Sequence, residues 1–180
     1  MSVWVGDDAV CVRISGRASF TCSVDFKALI NGLWQQGATR FVLDLTECLL
    51  MDSTFLGVLA GLGLKFSAAD NGHRPAVIEL LNPNQRISDL LENLGVAHLF
   101  KVLKCDRSVT ETMTPAPPTF STPTPDKKDI TRLCLEAHET LMDLHPGNVS
   151  KFKDVARFLA EDLKRAEQSS AVKTEPMSPE

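Results

Sequence analysis

The stretch Val42–Gly63, VLDLTECLLMDSTFLGVLAGLG, joins a short apolar run to a longer apolar segment through a polar loop. The run Phe41–Leu45 follows a basic residue and is typical of a strand buried in a sheet. Beyond the loop, the segment Met51–Thr54 begins a predicted helix that extends to about Ala69. The stretch therefore predicts a buried strand, a short connection and an apolar helix, which is a repeating unit of α/β proteins.

The same alternation continues on both sides of this stretch. Besides the strand and helix above, the sequence predicts strands at 3–5 and 9–14, a helix from 24 to 37, a strand at 75–81, a helix from 82 to 94 and a strand at 99–103. The first two strands are close enough to form a hairpin. Strands that alternate with helices indicate a largely parallel sheet. We therefore predict an α/β domain with a mixed, mostly parallel sheet of four to five strands covered by helices.

Two segments of this pattern resemble the STAS (anti-sigma-factor antagonist) domain family. Val42–Gly63 is similar to the family signature, in which an apolar strand ends in "DL", a loop follows and "DSSGLGVL" begins a helix. The segment Pro75–Leu103, PAVIELLNPNQRISDLLENLGVAHLFKVL, resembles the strand, amphipathic helix and end of the same family. The resemblance covers residues 1–104 and implies a STAS-like fold for them.

The resemblance also implies a site. In anti-sigma-factor antagonists, the serine after the signature aspartate is phosphorylated by a partner that is both anti-sigma factor and serine kinase. The aspartate falls on Asp52 and the serine on Ser53, while the second serine is Thr54, a weaker candidate. The next glycine is replaced by Phe55, whose ring we expect to face the partner, and the later glycine matches Gly57. The implied function is a module that binds a serine kinase/anti-sigma factor through these five residues while Ser53 is unphosphorylated.

The chemistry of Ser53 can be considered without the family. We expect a hydroxyl in the first turn of a helix to be exposed, and a phosphate there is favoured by free N–H groups and the helix dipole. Its charge of about −1.5 to −2 would repel Asp52 and an acidic or apolar partner surface. The simpler alternative is that Asp52 or Ser53 only caps the helix. Both interpretations stay open.

The chain continues beyond the predicted domain. Residues 105–125 are rich in Thr and Pro and predict an extended linker. Residues 126–168 repeat apolar positions at helical spacing on both sides of Pro146-Gly147, which predicts an amphipathic helical hairpin, and 169–180 predicts a disordered tail. The hairpin could fold back on residues 1–104, self-associate or bind a partner.

Other features favour a cytoplasmic binding protein. The net charge of −4 argues against a nucleic-acid partner, and the longest apolar run, at 55–64, is about half of a membrane-spanning helix. The five cysteines are scattered without a CxxC pair, the N-terminus lacks a signal-peptide pattern, and no catalytic or metal-binding motif is present. We predict no enzymatic activity, cofactor or metal, no membrane insertion and a cytoplasmic location.

Two further points remain as expectations. Phe55 and the hairpin favour an alternative function, a STAS scaffold subunit of a stress-signalling assembly or of a lipid-transport ATPase. Gly57, Gly61 and Gly63 lie in an apolar helix, where each costs about 1 kcal/mol, and so indicate a close neighbour. We expect that neighbour to be the sheet rather than a docked protein.

Overall fold

The computed structural model describes residues 1–68, 74–105, 113–116 and 125–171, with side chains described to residue 168. In chain order the elements are β1 (Ser2–Val5), β2 (Val10–Arg13), β3 (Gly16–Ala18), α1 (Phe20–Gln35), β4 (Arg40–Asp44), β5 (Cys48–Met51), α2 (Ser53–Ser67), β6 (Val77–Leu81), α3 (Gln85–Asn93), β7 (Lys101–Leu103), β8 (Thr114–Pro115), α4 (Lys127–Leu144) and α5 (Val149–Ala171). Short 3-10 turns at Ala97–Leu99 and Pro146–Asn148 precede β7 and α5.

Within the described ranges, the centre of the fold is a mixed sheet of six strands in the order β7-β6-β4-β2-β1-β8. β1 and β2 form the predicted antiparallel hairpin, and β2, β4, β6 and β7 run parallel to one another. The predicted α/β class and mostly parallel sheet are confirmed. The sheet has one strand more than expected, because β8 pairs with Trp4 and Val5 at its edge. β3 and β5 form a separate parallel pair, too short to leave a periodic signal in the sequence.

Helices α1 and α2 pack on one face of the sheet and enclose an aromatic core. The ring of Phe26 lies 4.6 Å from that of Phe55, and Phe66 lies within 5.4 Å of both Phe41 and Trp34. Alternation along the strands supplies the rest of this core, since Phe41 and Leu43 of β4 belong to it and Val42 between them does not. Because Phe55 belongs to this core, the first turn of α2 lies at its edge.

Side chains on the other face of the central strands form ion pairs. The buried carboxylate of Asp44 accepts hydrogen bonds from Arg13 Nε at 2.7 Å and from the Thr46 N–H at 3.0 Å. Burial opposes ionisation of Asp44, but these hydrogen bonds outweigh it and hold its pKa below the ordinary value. Glu79, also buried, pairs with Arg40 at 2.7 Å.

The predicted hairpin of helices is present and folds back on residues 1–104. α5 continues to Ala171, three residues into the predicted tail, and 172–180 lie outside the described residues. The side chain of Asn148, at the turn, is buried and donates to the carbonyls of Leu94 and Leu141, so it fastens the hairpin to the end of α3. Of the predicted linker, Thr114 and Pro115 form β8, while 106–112 and 117–124 lie outside the described residues.

The substitution Asp44→Asn is expected to lower the free energy of unfolding by about 1.5–3 kcal/mol at pH 7, because it removes a charge-assisted hydrogen bond to a carboxylate. The pKa of Asp44 is lowered by folding, so its stabilisation is complete above the ordinary pKa of 3.8 and is lost as the pH falls through the lower folded value. Urea unfolding from pH 7 to pH 2 should show the difference between the two proteins shrinking below about pH 4. A difference that grew in acid would contradict this assignment.

Candidate partner-binding site

Asp52 joins the first turns of two helices. Its Oδ2 accepts from the N–H of Phe20, the first residue of α1, at 2.9 Å, and its Oδ1 accepts from the N–H of Phe55 in α2 at 2.8 Å. Its own N–H donates to the carbonyl of Ala18 in β3. The carboxylate therefore satisfies free donors of both helices and lies at the positive ends of both dipoles. Asp52 is thus the N-cap of α2.

Ser53, the first residue of α2, is half-buried and faces α4. Its Oγ lies 3.1 Å from Nε2 of His138, a buried residue of α4. His138 Nδ1 lies 2.7 Å from the carbonyl oxygen of Cys134, and a carbonyl only accepts, so Nδ1 carries a proton. In the neutral imidazole Nε2 is then an acceptor, and the Ser53 hydroxyl donates to it. The expectation of a freely exposed hydroxyl is wrong, because the chain's own hairpin covers one side of it.

The other three predicted site residues are buried. Thr54 lies under α4, with its Oγ1 3.9 Å from Cys134 Sγ. The Phe55 ring is fully buried against Phe26, so the expectation that it faces a partner is wrong. Phe55 is the third residue of α2, and its ring points toward the sheet and α1, where it fills the core.

Gly57 is buried because α4 crosses α2 at this position. A Cβ added to Gly57 would collide with the backbone carbonyl of Ala137, whereas one added to Gly61 would lie 3.9 Å from the nearest atoms, those of Thr140. Gly63 has Phe100 as its nearest neighbour. The expectation that the sheet is the neighbour of these glycines is wrong. Gly57 permits two helices to approach closely, and its neighbour is the chain's own hairpin.

Apolar side chains remain exposed on α1 and β5, two elements that lie next to Asp52. Phe20 begins α1 and is 45% exposed, and Leu49 of β5 is 69% exposed. A cleft of about 230 Å³ also remains between α1, α2 and α4. At its rim, Lys27 of α1 pairs with Glu136 of α4 at 2.7 Å, and both side chains are partly exposed.

The described residues offer no metal centre or membrane span. No three or more of their His, Cys, Asp and Glu side chains are grouped so that they could hold a metal ion. Within the same ranges, every helix is too short or too polar to cross a bilayer. The arrangement around Asp52 can cap helices, present a hydroxyl and contact another protein.

Comparison with known families identifies the fold that carries this site. A family model described as the STAS domain matches residues 2–112. The chain belongs to the STAS domain family. The resemblance found in the sequence is thereby confirmed, and the match ends before the helical hairpin begins.

Two solved structures are similar to this STAS protein. The anti-sigma factor antagonist SpoIIAA in its unphosphorylated form is 19% identical, with a TM-score of 0.48 over 62% of this chain and 91% of that one. The NMR structure of the protein TM1081 is 18% identical, with a TM-score of 0.50 over 57% of this chain and 78% of that one. At this identity the second match supports the same fold and nothing further. A search of curated protein sequences finds no significant match.

Sequence reasoning missed His138 and Ala137 as parts of the site. Ala137 belongs to the predicted apolar stripe of the hairpin, and His138 follows it as an ordinary polar position. They meet Ser53 and Gly57 only because α4 folds back onto the STAS domain. Gly57 was an available signal, since its lack of a side chain indicated a close neighbour, although that neighbour was expected to be the sheet.

Asp52→Ala is expected to lower the free energy of unfolding by about 2 kcal/mol, because one N-cap contributes about 1 kcal/mol and this carboxylate caps two helices. Asp52→Asn should lose less, since its amide oxygen can still accept one of the two hydrogen bonds. Urea unfolding at pH 7 measures both variants. The matched control is Asp8→Ala at an exposed loop position, which should change stability by less than about 0.5 kcal/mol. Equal effects at positions 52 and 8 would refute the double cap.

Proposed function

We propose that this STAS protein is a phosphorylation-switched interaction module of the anti-sigma-factor-antagonist kind. It binds a serine kinase/anti-sigma factor while Ser53 is unphosphorylated and takes no catalytic part itself. The observation that carries the proposal is the position of Ser53, which directly follows the capping Asp52 and begins α2 of a STAS domain. Thr54 is a poorer acceptor of phosphate because it is buried under α4.

The surroundings of Ser53 support a switch that changes binding and leaves the domain folded. A phosphate on Oγ would stand at the N-terminus of α2, where the helix dipole favours negative charge, so the helix is retained. The same phosphate would add a charge of about −1.5 to −2 next to the Asp52 carboxylate, whose two oxygens already accept hydrogen bonds. The change therefore falls mainly on whatever contacts this end of the protein.

An apolar contact surface adjoins the proposed phosphorylation site. Phe20 and Leu49 are exposed on the elements that flank Asp52, and the buried core of a partner interface is more apolar than the rest of a protein surface. Charge placed at the edge of an apolar contact must be desolvated when the partner binds. A loss of about 3 kcal/mol weakens binding roughly a hundredfold, which is enough to release a partner.

The proposed partner is a soluble kinase, and we propose a cytoplasmic location for the complex. All five cysteines of the chain, Cys11, Cys22, Cys48, Cys105 and Cys134, are free thiols in the structure. Free thiols are typical of a reducing compartment.

The test is phosphorylation of the full-length protein by candidate serine kinases of the same organism, with the modified position found by mass spectrometry. We expect phosphate on Ser53 and none on the buried Thr54. Ser53→Ala should bind the identified kinase as the unmodified protein does, and Ser53→Asp should bind at least tenfold more weakly by calorimetry.

The control for this experiment is Ser150→Asp, a charge change at an exposed position in the first turn of α5. It should leave kinase binding unchanged. The proposal fails if Ser53 stays unmodified in cells and with every candidate kinase, or if Ser150→Asp weakens binding as much as Ser53→Asp.

A second function is favoured by the hairpin. α5 exposes Phe158, of which 64% is accessible, on a helix outside the matched STAS region. Such a helix suits a scaffold subunit of a stress-signalling assembly or of a lipid-transport ATPase, and also self-association through the hairpin. Capture with full-length protein and with Phe158→Ser separates the two functions. A transporter ATPase or large assembly that is lost with Phe158→Ser would favour the scaffold.

A further inference from the structure

Helix α4 occupies the face of the STAS domain on which the proposed partner would act. Leu133, Ala137 and Leu141 form its inward stripe, and all three are buried, Leu141 completely. The stripe lies on α2 and also meets α1, and it covers Thr54 and Gly57. Two of the five residues implied by the family resemblance are therefore inaccessible while α4 is in place.

The contacts of α4 define the kind of helix that this face accepts. Apolar residues recur at 133, 137 and 141, and the central one is alanine because the backbone of Gly57 lies directly beneath it. The residue before this alanine, Glu136, pairs with Lys27 at 2.7 Å, and the residue after it, His138, accepts the Ser53 hydrogen bond. The face therefore binds an amphipathic helix with a small central residue and an adjacent carboxylate.

Several features make α4 separable from the domain beneath it. The STAS family match ends at residue 112, before α4 begins at Lys127, and the chain between them is long and rich in Thr and Pro. The packing is incomplete, since the cleft of about 230 Å³ runs along one side of the contact. The Lys27–Glu136 ion pair at its rim is partly exposed, and such pairs contribute little to stability.

We infer that α4 is a displaceable occupant of a helix-binding groove formed by α1 and α2, and that a protein partner binds by putting an amphipathic helix of its own in the place of α4. The inference deepens the proposed function, on which it rests, because it names the structure that the partner presents and makes the hairpin its competitor. Departure of α4 would uncover the side of Ser53 that His138 covers.

The test uses full-length protein and a fluorescent peptide of residues 125–146, which carries the α4 sequence. Leu141→Asp places a charge at a fully buried position of α4 and should therefore release α4 from α1 and α2. The variant changes no residue of the groove itself. We expect the peptide to bind Leu141→Asp at least tenfold more tightly than wild type by fluorescence anisotropy. Val155→Asp, at a position 39% exposed on α5, is the matched control and should bind the peptide no better than wild type.

Two glycines of α2 test whether the peptide uses the groove. In the Leu141→Asp background, Gly57→Ala should abolish peptide binding because its methyl group would collide with the backbone at position 137. Gly61→Ala should keep binding within about twofold, since a methyl group there has ordinary contact distances. Peptide binding that is unaffected by Gly57→Ala would contradict the inference that the peptide occupies the groove.

The cysteines report whether the domain survives the release of α4. Maleimide labelling located by mass spectrometry should show faster reaction at Cys134 of α4 in Leu141→Asp, with the exposed Cys105 as an internal reference. Cys11 and Cys48, both buried in the STAS domain, should stay protected. Reaction at Cys11 and Cys48, or absence of peptide binding, would show that α4 is a permanent part of the fold and would overturn the inference. The experiment uses no kinase or phosphate, so its failure is distinct from failure of the proposed function.

Discussion

The carboxylate of Asp52 is the constraint on which the rest of this site depends. It accepts hydrogen bonds from the first turns of α1 and α2, so one side chain ties the starts of both helices together. The positive dipole ends of both helices therefore meet at the same carboxylate. Ser53 is consequently held at the first position of α2, and it can neither move deeper into the helix nor leave it without the loss of that cap.

The same helix is enclosed from both sides. Below, Phe55 packs on Phe26 and ties α2 to α1 and the sheet, and above, Gly57 admits the backbone of α4. A glycine in a helix interior costs stability relative to alanine, so its presence is consistent with a requirement for close approach. The chain thus combines a STAS domain with a hairpin whose helix α4 packs on α2. The surface beside Ser53 is formed by the hairpin as well as by the domain.

Sequence patterns predicted the elements well where they are long and periodic. The parallel strands, the three domain helices and the hairpin follow from apolar spacing, and Asp52 is a capping residue by type and position. The patterns failed where a result depends on contacts between distant residues. Phe55 was expected to face outward because the family resemblance placed it in a partner-facing turn, yet its ring packs on Phe26 of α1. Likewise, no spacing rule connects Ser53 with His138, which lies 85 residues further along the chain.

The Ser53–His138 hydrogen bond also links the proposed phosphorylation site to the hairpin. Nδ1 of His138 donates to the carbonyl of Cys134, so Nε2 accepts and the Ser53 hydroxyl supplies the hydrogen of this contact. A phosphate ester removes the hydroxyl hydrogen, and its oxygens would face the lone pair of a neutral Nε2 at close range. A phosphate on Ser53 would therefore oppose the contact between α2 and α4. Under the proposed function, modification of Ser53 would act on the hairpin as well as on the partner.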